Sequence, residues 1–371
     1  MDKDVNLQPI DRDELLDYHA HAQILLQKAP TDRDFSGLSL KSGIYVQCDF
    51  SGSQFIGANL DEVCFLKCDL RGSKFTSAQL KGTRFVECTL DESDFQDCDL
   101  TQTQFVSGTA QSCQFQGVQC SQTVFATTDI SGSRLDQATF SRCSILECSI
   151  DDISLADTVF SGMIITSADL KDIDMSGAHV DNVVFADADF SGKDMSGQHW
   201  QKCTIHKGKL NNVSLDRASL DGSVFSECDF SGASLEQVSA QMTCFTKSKL
   251  DGVSMAGSNL TMANFAASSL KGTRLNQSQL YASAFLEADC KGAQFERCNL
   301  AQAEMSHADL SGANLAGSAF SNTKLHAAKR DGALFQAVSG NIIDTDQNRA
   351  IGELYRPDRV LLDGETQRKG G

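Results

Sequence analysis

Fourteen cysteines and seven histidines, set among 49 acidic and 32 basic residues in a chain of 371, are the side chains able to do chemistry here. Cysteine and histidine in such supply would serve a metal centre or a disulfide framework, and serine, histidine and carboxylate together would serve hydrolysis. Their spacing supports neither. There is no zinc-ligand spacing, no helix-borne His-Glu pair and no glycine loop to cradle phosphate. Ten cysteines (Cys48, Cys68, Cys88, Cys98, Cys113, Cys143, Cys148, Cys203, Cys228 and Cys298) stand two residues ahead of one recurring apolar position, and Cys120 and Cys290 occupy that position themselves. The slot two residues ahead is otherwise filled by small residues, so these thiols are expected to be small buried fillers. Cys48, Cys68 and Cys88 recur at intervals of 20, and such a file lacks the converging geometry of a zinc site. No metal and no cofactor is expected, and the thiol count points to a reducing compartment.

The element that positions everything is the recurring apolar residue itself. From Phe35 an apolar side chain returns at every fifth position, through Leu40, Tyr45, Phe50 and Phe55 to Phe335. The column has 61 members, Arg330 alone is not apolar, and all 22 phenylalanines of the chain lie on it. A period of five fits neither the helix nor the ordinary strand. It marks a solenoid, in which each short unit turns a corner and stacks on its copies. Proline is absent between residues 31 and 356, as a stack that uses its backbone donors requires. The phase never slips, so no loop is expected to interrupt the rod.

A net charge of −17 makes direct nucleic-acid binding through a basic patch a poor fit and a basic partner a better one. No apolar run reaches the length of a membrane span, and Met1–Gln8 is unlike a secretory signal; a protein that begins in the cytoplasm is expected. Residues 1–33 read as an N-terminal cap. Asp11 suits the N-cap of a helix whose stripe is Leu15, Tyr18, Ala22 and Leu25, with Pro30 as the stop. Residues 34–336 form the rod and 337–371 a C-terminal cap. There Asp344 suits the cap of a short helix through Ile351, Leu354 and Tyr355; Val360, Leu361 and Leu362 suit a strand or a contact with a twin chain, ahead of a disordered tail from Glu365 to Gly371.

At its cleanest the unit reads small–Asp/Asn–Leu/Phe–x–Gly, as in Cys48-Asp49-Phe50-Ser51-Gly52, Ala308-Asp309-Leu310-Ser311-Gly312 and Ala313-Asn314-Leu315-Ala316-Gly317. This resembles the pentapeptide-repeat family, whose hallmark is tandem A(D/N)LXX. The resemblance implies an all-β fold: a right-handed quadrilateral parallel β-helix, four units to a square coil of about 20 residues. On that basis the rod has about 15 coils and, at ~4.8 Å per rung, a length of ~70 Å.

Units 20 residues apart then share a flat face. The face centred on Phe50, Leu70 and Leu90 carries a charge of −7, from Asp49, Asp69, Asp91, Glu92, Asp129, Asp151, Asp152, Asp169, Asp172 and Asp189 among others. Stacked carboxylates of this kind resemble the phosphates of a duplex and suit a basic groove. The face centred on Tyr45, at −1, is instead apolar in its outward slots: Ile44, Val46, Cys64, Leu66, Val86, Val106, Val124, Leu146, Ile164 and Val184. A band of that length suggests a contact surface for a partner or a second copy. One coil is irregular, with Trp200 overfilling the column and Lys193 and Gln198 in the small inward slot, Lys193 turned outward to escape it; His199 and His206 make this coil a candidate recognition site.

An enzyme is not expected, because a filled solenoid has no interior for substrate. Two functions stand open, beside a third, an effector delivered into host cells by a secretion system, which the sequence neither supports nor excludes. Within the family, the segment Asp11–Ala20 resembles the helical lead-in of proteins tied to type VI secretion clusters, which implies a scaffold or adaptor for an effector, chaperone or spike component. The rod and its acidic face resemble instead the gyrase-interacting members that imitate DNA, which implies an inhibitor or protector of a topoisomerase, with a C-terminal region able to build a homodimer.

Overall fold

The computed structural model describes residues 7–354. Tyr355, Val360, Leu361, Leu362 and the segment Glu365–Gly371 lie outside the described residues. What stands between is an all-parallel β-solenoid of about 17 turns, and residue i pairs with residue i+20 throughout until the last ladder, where a bulge shifts Thr323 and Lys324 onto Ile342 and Ile343.

Each unit builds itself the same way. The column residue points inward and is fully buried, as at Phe50, Leu60, Phe105 and Leu250. The residue two after it adopts the left-handed conformation at every fifth position from Gly37 to Ala337, Asp172 excepted. That corner closes a local turn, with Ser53 N–H donating to Phe50 O at 3.0 Å. The remaining amides bond the next coils: Phe50 N–H donates to Asp69 O and Gln54 N–H to Arg33 O, both at 2.7 Å. Asp or Asn ahead of the column accepts the N–H two residues on, as Asp49 does from Ser51 (2.8 Å) and Asn314 from Ala316 (3.1 Å), an Asx turn that fixes the corner.

On two faces the rungs widen into three-residue strands. The Tyr45 face carries an eleven-stranded parallel sheet from Leu25–Leu26 to Val224–Ser226, and the adjoining face carries five strands from Gln119–Ser121 to Trp200–Gln201. Inside, the phenylalanines form two pillars. Phe35, Phe55, Phe75, Phe95 and Phe115 stack at 4.6–5.2 Å. Tyr45, Phe65, Phe85, Phe105 and Phe125 stack at 4.6–5.3 Å. The pillars meet edge to face, as Phe95 and Phe105 do at 5.7 Å and 85°, the arrangement that ring quadrupoles favour.

The ends differ from expectation. Helix α1 spans Arg12–Ala20, with Asp11 Oδ1 accepting Glu14 N–H at 2.8 Å as its N-cap, but it stops ten residues before Pro30. Leu25–Leu26 is a strand on Tyr45–Val46, and Lys28–Pro30 pairs with Gln8–Ile10. Ile10, Leu15, Leu25 and Pro30 are all buried, so the five-residue rhythm begins upstream of residue 34 and adds turns to the count. At the other end Ala319–Lys324 pairs with Ser339–Ile343, and helix α2 (Gln347–Leu354) follows. Asp346, not Asp344, opens that helix by accepting Asn348 N–H at 2.9 Å; Asp344 instead pairs with the Arg330 guanidinium at 2.9 Å.

Candidate functional site

The inward slot shows first what the cysteines do. Ser73 Oγ donates to Phe50 O at 2.9 Å and Thr83 Oγ1 to Leu60 O at 2.7 Å, each reaching the column carbonyl 23 residues back. Cys98 donates to Phe75 O and Cys113 to Leu90 O, both at 3.0 Å, and Cys298 to Leu275 O at 2.9 Å. The thiols are therefore donors as well as fillers. Burial pushes Cys98, Cys228 and Cys298 up to about 12, which keeps the proton each donates. A protonated, buried thiol is a poor nucleophile and a poor metal ligand.

The acidic face is spent locally. Asp49, Asp69, Asp129, Asp169 and Asp189 each accept the N–H two residues on. Four of them also form ion pairs: Asp49 with Arg33 (3.1 Å), Asp69 with Arg71, Asp169 with Lys171 (2.9 Å) and Asp189 with Lys209 (3.2 Å). Asp91 accepts Gln111 N–H at 3.0 Å. Asp91, Glu92, Asp129, Asp151, Asp152 and Asp172 have no ion pair among the described residues, against the four that do. The file of carboxylates is thus broken into paired and unpaired stretches, unlike the even charge of a phosphate backbone.

The apolar face is continuous. Along the slot after the column, Leu26, Val46, Leu66, Val86, Val106, Ala126 and Leu146 are partners rung by rung. Six intervals of ~4.8 Å make a file ~29 Å long. In the slot before the column Ile44, Cys64 and Val124 flank it, interrupted by Arg84, Gln104 and Ser144, and Ile164 and Val184 lie one and two rungs beyond its end; Ile44, Ile164 and Val184 are 42%, 45% and 38% exposed. Leu26 is 51% exposed and extends the file by one rung. Sequence reasoning placed Leu26 on a helix, although its spacing of 20 from Val46 carried the signal.

Trp200 does not form a recognition site with its neighbours, because it is buried. It stacks on Phe185 at 5.2 Å and meets Phe190 edge-on at 5.3 Å, and its indole N–H donates to Gln198 Oε1 at 3.0 Å. His199 is exposed 6.5 Å from the His179 ring, while His206 Nδ1 contacts Ser226 Oγ at 3.0 Å. Lys193 does not turn outward freely either. It is half-buried, burial lowers its pKa, and its ammonium donates to Ile173 O.

One cluster has metal-like composition: Glu353 Oε2 lies 3.2 Å from His307 Nε2 and 3.1 Å from His326 Nε2. His326 Nδ1, however, accepts Asp346 N–H at 3.1 Å. A neutral imidazole that accepts at one nitrogen carries its proton on the other, so Nε2–H donates to Glu353 and has no lone pair for an ion. The cluster is a hydrogen-bonded clasp. Through it α2 is fastened to the last coils, and Arg349 Nε, one helical turn before Glu353, holds that carboxylate in place from within the helix at 2.7 Å.

A four-sided parallel solenoid of five-residue units, its chemistry confined to its outside, is the class this architecture defines. The comparisons agree. A model described as the pentapeptide repeat region matches residues 31–95, and one described as pentapeptide repeats (8 copies) matches residues 201–237, 241–277 and 288–326. The chain belongs to the pentapeptide-repeat family. No curated protein matches it. Among solved structures it is similar to HetL, a pentapeptide repeat protein involved in heterocyst differentiation regulation in the cyanobacterium Nostoc sp. strain PCC 7120. That match has 19% identity over 62% of this chain and 86% of HetL, with a TM-score of 0.18. It is also similar to QnrB1, a plasmid-mediated fluoroquinolone resistance protein, with 16% identity over 45% of this chain and 96% of QnrB1 and a TM-score of 0.24. Neither family model describes a catalytic domain, and among the described residues no helix is long and apolar enough to cross a membrane.

Proposed function

We propose that the protein is a non-enzymatic scaffold that holds a protein partner against the Tyr45 face. The observation that carries this reading is the unbroken apolar file from Leu26 to Leu146. The file is exposed at Leu26 and half-buried from Val46 to Leu146, and partly exposed apolar surface of that continuity marks contact sites. The mode of docking follows from the ladders. Backbone N–H and C=O groups of the face are used by the coils above and below, so a partner cannot add as a further strand; it must pack side chain on side chain. The secretion-linked reading of residues 11–20 supplies a context in which that partner is an effector, chaperone or spike component.

The test is a pull-down with the wild-type chain and with Leu66→Asp/Val86→Asp, both sites being exterior. The double variant should keep the circular dichroism of the rod and lose the partner. Retained capture by a folded double variant removes this face from consideration. The alternative, imitation of DNA towards a gyrase-type enzyme, is disfavoured by the ion pairs at Asp49, Asp69, Asp169 and Asp189, which break the acidic face into uneven stretches. A supercoiling assay at micromolar protein should leave gyrase active; inhibition that disappears on reversing Asp151, Asp152, Asp169 and Asp172 would reinstate that reading.

A further inference from the structure

Between Asp34 and Leu334 the four ladders lack two rungs, and the two are neighbours. Ser149 does not bridge Asp169, and Asp174 does not bridge Asp194, whereas Asp129–Ser149, Asp169–Asp189, Ser154–Asp174 and Asp194–Ser214 are all in place. The gaps lie on the two faces that share the corner at Asp152 and Asp172. Asp172 is also the corner residue that leaves the left-handed conformation. We infer that the rod is two stiff segments joined by a soft seam across residues 149–194, which opens at the Asp152–Asp172 corner.

The cause is written in the small inward slot. From Gly43 to Ala333 it is filled by residues no larger than valine, with five exceptions: Ile153, Met163, Ile173, Lys193 and Gln198. All five fall inside or against the seam, and overfilling a close-packed interior displaces backbone. Lys193 makes the displacement explicit. In the regular pattern the amide of residue i donates to the carbonyl of residue i−21, as Ser214 N–H does to Lys193 O at 2.9 Å. Asp194 N–H should therefore take Ile173 O, and the Lys193 ammonium holds that carbonyl instead. Charge works in the same direction, since closing the lost rung would bring Asp174 opposite Asp194, and Asp151, Asp152 and Asp172 crowd the same corner.

The opposite corner is reinforced where this one is open. The five-stranded sheet between Gln119 and Gln201 occupies only those coils, and beside it the Tyr45-face sheet runs through unbroken. Two intact sheets opposite two broken ladders make a hinge. The continuous aromatic pillars end at Phe115 and Phe125 on one side and resume from Phe225 on the other, leaving between them only the Phe140–Phe160 pair and the separate cluster of Phe185, Phe190 and Trp200. The file Leu26–Leu146 thus lies wholly on the first segment, and whatever it holds can swing relative to the second.

Hydrogen–deuterium exchange of the full chain, read by peptide, tests this. Amides at 150, 152, 174, 175, 177 and 194 should exchange at least roughly tenfold faster than their hydrogen-bonded equivalents one to three coils away, such as 210, 212, 234, 235, 237 and 214. Uniform protection along the rod overturns the inference. Lys193→Ser restores a small residue to the slot, and exchange at 175 and 194 should fall to that of neighbouring coils. Unchanged fast exchange in a folded Lys193→Ser protein rejects Lys193 as the wedge. Should that variant not fold, the wild-type exchange map alone decides whether the seam exists.

Discussion

Replacing Phe105 by alanine should be among the most damaging single changes in the rod, and the structure says by how much more than its counterpart Phe140. Both rings are fully buried, so both lose the ~3–5 kcal/mol typical of a Phe→Ala cavity. They differ in company. Phe105 stacks on Phe85 at 5.1 Å and Phe125 at 4.6 Å, and meets Phe95 and Phe115 edge-on at 5.7 and 5.9 Å. Phe140 meets one ring among the described residues, Phe160 at 5.6 Å. Each aromatic pair adds about 0.5–1.5 kcal/mol beyond area, so three further pairs at the low end separate the variants by ~1.5 kcal/mol. Because coils couple mainly to their neighbours, the loss should appear as local opening as well as a lower denaturation midpoint. Urea titration followed by circular dichroism, with exchange rates at the adjacent coils, measures both. Equal losses, or a larger one for Phe140→Ala, would refute the view that the aromatic pillars stiffen the first segment.

Three other outcomes follow from the same geometry. In the native state a thiol reagent should label at most Cys64 and Cys244 quickly, since the other twelve cysteines are buried, and all fourteen should react in denaturant; a third fast thiol in the folded chain contradicts the donor role of the file. Hydrogen bonds from Ser311 hold the Asp309 carboxyl below its ordinary value against the opposing push of burial, and Asp34 is held low by Ser36 in the same way. A carboxyl depressed in the folded state stabilises it above its unfolded pKa, so stability should fall as pH drops below about 4, which a thermal melt at stepped pH checks. Gly340→Ala should unfasten the C-terminal strand, because a Cβ there would fall 1.2 Å from Phe320 O at a backbone φ of +89°; an unchanged melting profile and unchanged exchange at residues 319–324 would show that the strand is not held this way.

Much of this was legible because the rhythm is repeated in every unit. Phe35 to Phe335 identifies the inward column, and Asp49 or Asn314 ahead of it identifies the corner turn. The N-terminus misled for a definite reason: Leu15, Tyr18, Ala22 and Leu25 satisfy a helical stripe, yet Leu15 and Leu25 are also multiples of five, and beyond Ala20 the ladder on Tyr45–Val46 decides. The C-terminal cap offered Asp344 and Asp346 two residues apart, and only the position of Arg330 shows which of them is taken by an ion pair. The donor role of Cys98 was available from its slot-mates Ser73 and Thr83, whose hydroxyls do the same work. Ile153, Met163 and Ile173 passed unnoticed because they are apolar; their volume, not their polarity, was the signal.

A rod of this kind can recognise a partner only through three of its five positions, and these are not equivalent. The residue two after the column must hold a left-handed corner. The residue before the column carries the rung, and when it is Asp or Asn it bonds the amide two residues ahead, as Asp49, Asp69, Asp129, Asp169 and Asp189 do. The residue just after the column is the least constrained of the three. Five of the ten residues of the acidic face occupy the rung position and are committed to the fold, whereas the whole file from Leu26 to Leu146 occupies the position after the column. Half of the carboxylates can thus be explained by what they do for their own corner. Seven apolar side chains in successive rungs cannot, because a flat parallel ladder is equally satisfied by the threonine, serine and histidine that replace them at Thr166, His206 and Ser226. Their cost in water is offset by nothing within the chain, and that asymmetry makes the apolar file the better candidate for contact with another protein.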